Sequence, residues 1–320
     1  MGTITRLQPL FIIASALFGL LLGYKTPFGD FSLHMIEPFL MVLLFFVFLS
    51  VDSKKLKDSF MNPRFTLTAT GVNFIWTPVF TFLLGILFFH DSLDLQIGLM
   101  MLMVTPCTDW YLVFTRLTNG DVELGASILP LNLLLQIVLL PVYLLIFFGS
   151  AAHFSVLAML ADVVSVLVIP FAASSLLKIA SRRFSKTGAF VNRLTAYGDN
   201  IQLVFLCLAV VCMFASESNA VVQNPILLLR MLVPLAVFFF TNFLLVRFIG
   251  HKMQMETDEV VSLNFTTLAR NSPLSLAIAV ATFPDRPLIS LALVIGPLIE
   301  LPALSIISNA IKRLDNRRAS

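Results

Sequence analysis

The sequence predicts an all-α membrane protein of ten transmembrane helices, built as two inverted five-helix halves with helices 4 and 9 broken in mid-membrane. Three observations predict it. Apolar runs near the length of a bilayer crossing recur from end to end. Lys and Arg fall almost wholly on one side of the membrane when those runs are counted as ten. A polar, proline-marked interruption lies in the fourth run of each half. Hydrophobic residues make up 58% of the chain and charged residues 12%, against roughly 25% charged in a soluble domain.

The runs cover residues 7–24, 35–51, 65–89, 95–117, 122–148, 154–179, 196–215, 225–249, 258–283 and 287–311. The first imitates a signal peptide, because Ala14-Ser15-Ala16 resembles a cleavage site. Its apolar stretch continues through Leu22, so it reads as a retained helix. Connections are short, and the longest, 52–64 and 180–195, leave little room for a soluble domain. Residues 1–150 form the first repeat and 151–320 the second, inverted one, within a single membrane unit.

Both termini are expected on the cytoplasmic side of the cell (inner) membrane. Of 21 Lys and Arg residues, all but Lys25, Arg286, Arg230 and Arg270 then lie on that side. Lys25 and Arg286 fall outside. Arg230 sits near a membrane edge, where a long side chain snorkels to water. An odd number of spans would scramble this bias.

The fourth run carries Thr105-Pro106-Cys107-Thr108-Asp109 in its middle, and the ninth carries Arg270-Asn271-Ser272-Pro273. Proline lacks a backbone donor and clashes with the preceding turn, so each run should break there. Broken backbone survives at membrane depth only under cover of protein or beside a water-filled cavity. Matching breaks in two halves point to the substrate site of a secondary transporter. Helices 5 and 10 also match: Pro130 precedes Asn132, and Pro297 precedes Glu300.

Charges at the bilayer centre cost about 2.5–3.5 kcal/mol each on insertion scales, so Asp109, Arg270 and Glu300 need a reason. One reason is structural: a salt bridge of Asp109 or Glu300 with Arg270 that locks the crossing. The other is coupling. Glu300, flanked by Pro297 and Pro302, is a candidate proton carrier, or else a cap for freed backbone donors. Asn132 and Gln136 stand four apart on one helical face and suit a small polar solute, or serve as interhelical glue. Thr105, Thr108 and Asn271 line the breaks. Cys107 could meet a thiophilic solute or simply pack. Asn73 is a weaker candidate, and Trp110 a candidate wall. Cys107, Cys207 and Cys212 show no disulfide or zinc spacing. No metal, cofactor or nucleic-acid partner is expected, and no enzyme constellation or repeated channel filter is visible.

Several segments resemble the bile acid:sodium symporter superfamily, and within it most the arsenical-resistance-3 arsenite permeases and related bacterial arsenic resistance proteins. They are Thr105-Pro106-Cys107-Thr108, Thr118-Asn119-Gly120-Asp121, Leu131-Asn132 and Val294-Ile295-Gly296-Pro297-Leu298-Ile299-Glu300-Leu301-Pro302. The resemblance implies crossed helices 4 and 9 in a core domain, and a panel of helices 1, 2, 6 and 7. It implies that Cys107 and Glu300 matter, and that arsenite or antimonite leaves in exchange for protons.

The sodium-coupled branch resembles this chain at 265–274 but typically carries glutamate where Thr266 stands and glutamine where Arg270 stands. Its Ser-Asn pair in helix 4 would fall near Tyr111-Leu112. The arsenite branch often has an acidic residue soon after the helix 9 asparagine, whereas Ser272-Pro273-Leu274-Ser275 has none. A permanent guanidinium at the would-be ion site argues against sodium coupling. The expected activity is arsenite efflux by proton antiport with alternating access. The alternative is symport of a bile-acid-like or small organic anion, sodium coupling included, with Arg270 gripping a carboxylate.

Overall fold

A computed structural model describes residues 3–26, 28–50, 62–107, 110–152, 156–183, 191, 193–216, 218 and 226–319. Among these residues the secondary structure is helical, apart from one isolated β-bridge. The helices are α1 (Thr3–Lys25), α2 (Phe28–Ser50), α3 (Pro63–Phe88), α4a (Leu93–Met103), α4b (Trp110–Leu117), α5a (Val122–Ser127), α5b (Leu129–Ala152), α6 (Val156–Arg183), α7 (Gly198–Ser216), α8 (Ile226–Lys252), α9a (Thr257–Leu268), α9b (Ser272–Thr282) and α10 (Pro287–Ala319). Each apolar run of the sequence coincides with one helix or with a pair of half-helices.

Four stretches are long and apolar enough to cross a membrane among the described residues: Pro63–Phe88, Val122–Gly149, Leu229–Lys252 and Pro287–Leu314. Large apolar side chains such as Leu67, Leu87, Ile146 and Phe240 are exposed on them. Hydrocarbon, not water, is the solvent such faces suit.

The chain groups into two compact units, and each draws on both sequence halves. One contains residues 1–51, 154–227 and 273–294, hence α1, α2, α6 and α7 with α9b and the start of α10. Here α1 and α2 both pack on α7, and α6 packs on α2. Gly19 and Gly23, one turn apart, let α1 lie directly on α7. A Cβ on Gly19 would collide with the Val211 carbonyl oxygen, and one on Gly23 with that of Ala215. Backbone cannot step aside as a side-chain tip can, so Gly23→Val should cost about 1–3 kcal/mol of overpacking strain. The expected result is a lower melting temperature for the detergent-solubilised protein, while Gly71→Val, with open space around it, changes little. At the end of α2, the Lys178 ammonium donates to the Phe48 carbonyl at 2.9 Å, satisfying an acceptor that the helix terminus leaves open.

The other unit contains residues 52–153, 228–272 and 295–320. Its helix α3 widens into a π turn at Val72–Trp76, where the Thr77 N–H bonds the Val72 carbonyl five residues back. Pro78 explains the turn. Its ring crowds the Phe74 carbonyl and offers that carbonyl no N–H. The Tyr143 hydroxyl donates to the orphaned Phe74 oxygen instead, at 2.6 Å.

The Thr118-Asn119-Gly120-Asp121 motif is a helix stop followed by a start. Asn119 takes φ 59°, the left-handed conformation that ends α4b. Gly120 follows where a Cβ would lie 2.6 Å from Val261. The Asp121 carboxylate then accepts from the Leu124 N–H at 2.9 Å and caps α5a. At the far end of α3, Arg230 and Asp91 form a 2.5 Å ion pair that is partly exposed. The hydrogen bond from Arg230 holds the Asp91 carboxyl below its ordinary range.

Candidate functional site

Helix α4a stops at Met103 and α9a at Leu268, as the proline-marked interruptions predict. The two breaks then satisfy one another. Pro106 and Arg270 face each other in an antiparallel bridge. The Cys107 N–H donates to the Ala269 carbonyl at 3.0 Å, and the Asn271 N–H to the Thr105 carbonyl at 2.7 Å. Extended backbone that could not survive in hydrocarbon alone is therefore paired, protein to protein.

Each half-helix still leaves carbonyls open at its C-terminal end. Side chains take them. The Thr105 hydroxyl turns back to Met101 and Leu102 carbonyls at 3.0 and 3.3 Å. The Asn73 amide, held by the π turn, donates to the Thr266 carbonyl at 3.2 Å. The Asn242 amide donates to the Thr267 carbonyl at 3.3 Å, and its own oxygen accepts from the Trp76 indole at 2.8 Å.

Arg270 ties both ends together. Its guanidinium donates to the Met103 carbonyl at 2.8 Å, to the Thr267 carbonyl, and to Asn73 Oδ1 at 3.4 Å. It lies 4.9 Å from the centre of the Phe238 ring and is 2% exposed. The C-terminal end of a helix carries about half a negative charge. Two such ends converge on this one cation, which accounts for a guanidinium at a depth where an isolated charge is costly.

Glu300 is 3% exposed and accepts from the Arg270 backbone N–H at 2.8 Å. The sequence left open a salt bridge between the side chains of Glu300 and Arg270. The structure pairs them otherwise: the guanidinium binds carbonyls and the carboxylate binds backbone. The guanidinium takes carbonyls that the C-terminal ends of α4a and α9a leave open, and the carboxylate takes a backbone N–H that the break frees. Gly296, one turn before Glu300, lets α10 approach α4a, since a Cβ there would lie 2.6 Å from Leu102 Cδ1.

Asn132 reaches the crossing from α5b, donating to the Thr266 hydroxyl at 3.3 Å. Among the described residues its Oδ1 has no hydrogen-bond partner, nor has either amide atom of Gln136, nor Nε of Arg270. Asn132 and Gln136 are both fully buried. Such groups are rare in a finished core and call for a ligand or water. Cys107 is buried beside the bridge.

Thr105, Cys107, Arg270, Asn271, Glu300 and Asn132 thus meet at one crossing, with Gln136 one turn along α5b. Thr108, Asp109 and the Trp110 side chain lie outside the described residues. Asn242, Thr267 and Phe238 were missed by the sequence reading. A lone amide in the apolar helix α8 was the available signal for Asn242. Nothing local distinguishes a threonine carbonyl or one phenylalanine among 31.

The sequence profile of the Sodium Bile acid symporter family matches residues 37–224, more than half of the chain. The chain belongs to that family. It is therefore a multi-pass membrane protein of a transporter family. Among curated proteins, it is 25% identical to the "Arsenical-resistance protein Acr3" of Corynebacterium glutamicum, over 92% of this chain and 85% of that one. The Acr3 protein of Alkaliphilus metalliredigens is 22% identical over 82% of this chain and 77% of its own. An uncharacterised Bacillus subtilis protein, YbaS, is 26% identical over 92% of each. The paired breaks of this family member occur in a protein similar to two arsenical-resistance proteins and to one without an assigned role.

Proposed function

We propose that the chain is a secondary active transporter that exports arsenite, or antimonite, in exchange for protons. In this reading it has ten spans with both termini cytoplasmic in the cell membrane. Residues 1–150 and 151–320 are inverted repeats. In this reading a panel of α1, α2, α6 and α7, which share one compact unit with α9b and the start of α10, moves against a core that holds the paired breaks. Alternating access follows from that motion.

One observation carries the reading: a guanidinium held by two helix ends, with Glu300 on the adjoining backbone and unpartnered amide atoms beside them. A fixed cation there does the work of a bound sodium ion, so a mobile ion is not needed. Glu300 is left as the group able to take and release a proton.

The solute is inferred from hydrogen-bond chemistry. Gln136 offers donor and acceptor atoms, Asn132 an acceptor and Arg270 Nε a donor. A mixed set suits a neutral hydroxylated molecule, such as trihydroxy-arsenic, better than an anion. Cys107 adds a thiol that arsenic would favour. Thr108 and Asn271 complete the set in this reading, and Asp109 joins Glu300 and Arg270 in coupling. Thr105 contributes by capping α4a, because its hydroxyl is engaged there. Carboxylate recognition by Arg270 is less well supported, since both terminal nitrogens already bind carbonyls.

The test is a bacterial host stripped of its own arsenite efflux. Expression of this chain should raise its tolerance to arsenite and lower arsenic retained in the cells. Unchanged tolerance and retention, with the protein present in the membrane, would overturn the substrate.

A further inference from the structure

The helical path of α7 starts before Gly198. The Tyr197 N–H donates to the Arg193 carbonyl at 3.3 Å, and the Ile201 N–H to the Tyr197 carbonyl at 3.0 Å. Arg193, Tyr197, Asn200, Ile201 and Val204 therefore share one stripe of that path, at helical spacing. Among the described residues, this stripe and Phe205 line an open groove of about 640 Å³ whose walls are almost wholly apolar. The volume is in the range of small-molecule sites. On one flank Ile201 packs against a buried cluster that includes Phe46 and Leu49 of α2. At the far end the Phe205 ring lies 5.9 Å from the Phe39 ring of α2. Tyr197 and Val204 are each 55% exposed.

The ends of the groove narrow its occupant. From Arg193 to Phe205 the helix rises about 18 Å, at about 1.5 Å per residue. One leaflet of a hydrocarbon core about 30 Å thick is of similar depth. A cation and a tyrosine stand at one end, as side chains do at a membrane–water interface, and a phenylalanine at the other. Charge narrows it further. The segment 178–193 holds Lys178, Arg182, Arg183, Lys186 and Arg193 and no Asp or Glu. A basic cluster beside a crossing attracts anionic lipid. A second copy of this chain, paired through the same face, would instead set two such basic segments against each other.

We propose that this groove binds one anionic glycerophospholipid, with its phosphate on the Arg193 guanidinium and one acyl chain laid along Ile201 and Val204 toward Phe205. A guanidinium meets two phosphate oxygens at once, and the Tyr197 hydroxyl supplies a donor near the headgroup. An acyl chain gains little by exchanging other chains for an apolar protein wall. Selectivity therefore resides in the headgroup: a zwitterionic lipid would bring a second cation beside Arg193. The site requires only that the chain spans a membrane, and it is independent of the solute carried.

The test uses the full-length protein in phosphatidylcholine nanodiscs, with a trace of phosphatidylglycerol carrying a diazirine midway along one acyl chain. After illumination, peptide mass spectrometry locates the adducts. Ile201, Val204 and Phe205 should be labelled several-fold more than Phe240 and Leu244, exposed apolar side chains of α8. Excess unlabelled phosphatidylglycerol should suppress the groove adducts. Arg193→Gln should lower groove labelling several-fold, and Val204→Trp, which fills the groove, should do the same. Lys252→Gln, which removes another exposed cation, should leave it unchanged. Arg193 and Val204 are exposed, so both variants should keep the parental melting temperature. Groove labelling no higher than on α8 would overturn the proposal, whether bulk lipid or a second copy of the chain covers the face. Equal labelling by the corresponding phosphatidylcholine probe would also overturn it, because lipid would then be held without regard to charge. So would undiminished labelling in the folded Arg193→Gln variant. Arsenite is absent throughout, so failure of the substrate assignment leaves this result standing.

Discussion

Glu300→Gln should abolish proton-driven arsenite uptake into everted membrane vesicles while leaving the protein folded. The glutamine amide oxygen can still accept from the Arg270 N–H, as the carboxylate does at 2.8 Å. Shape and backbone pairing at the crossing are retained, so melting temperature and membrane abundance should match the parent. What is lost is a group that can bind and release a proton at transport pH. Rates should fall to those of vesicles lacking the protein. Glu300→Asp adds a control in the other direction. It keeps the titratable group but withdraws it by one methylene from the Arg270 N–H, so it should retain partial activity. Arsenite movement at the parental rate in Glu300→Gln would sink the proton role. It would leave the crossing itself, which rests on backbone geometry, untouched.

The second large effect is expected at Arg270. Replacement by Met keeps much of the side-chain volume over the Phe238 ring but removes the cation and its donors. The Met103 carbonyl then loses its guanidinium partner, and Thr267 keeps only Asn242. Each buried acceptor left unpaired costs about 1–3 kcal/mol, and two negative helix ends are left facing each other. We expect a marked fall in melting temperature together with loss of transport. Arg270→Lys keeps the charge and should recover part of the stability but not the forked reach to both carbonyls. Arg270→Gln addresses coupling. If its transport becomes dependent on sodium, the organic-anion symport reading gains. If it transports arsenite as well as the parent, without sodium, the cation between the helix ends is dispensable and that part of the reading fails.

Much of the fold was legible in the sequence for a plain reason. Each crossing must satisfy its own backbone and present apolar faces to lipid, so apolar length and proline position mark helix extents directly. The breaks near Pro106 and at 269–271 follow from proline chemistry within the chain. The motif at Thr118–Asp121 was visible as a string of letters. Its content, a left-handed stop followed by an aspartate cap, required coordinates. The π turn of α3 was legible in principle from Pro78 in mid-span and went unread.

The site was legible in membership more than in wiring. Thr105, Asn132, Arg270 and Glu300 stand out because polar residues in an apolar span need partners. Which partners they take depends on residues distant in the chain. Thr105 looked available to a solute, and it caps its own half-helix. A carboxylate partner for Arg270 was left open, and the guanidinium bridges Met103 and Thr267 carbonyls. Asn242 and Trp76 carried no local mark, and they complete the cap of α9a.

The amino-acid sequence by itself determined where this chain's apolar helices run and where two of them break, because burial of apolar length and the chemistry of proline act along the chain. Only the tertiary structure decided that the two breaks pair with each other and that a guanidinium, rather than a carboxylate, faces both helix ends. Those choices are made by hydrogen-bond geometry between segments 166 and 167 residues apart, and no local pattern encodes the direction in which a side chain points across such a distance.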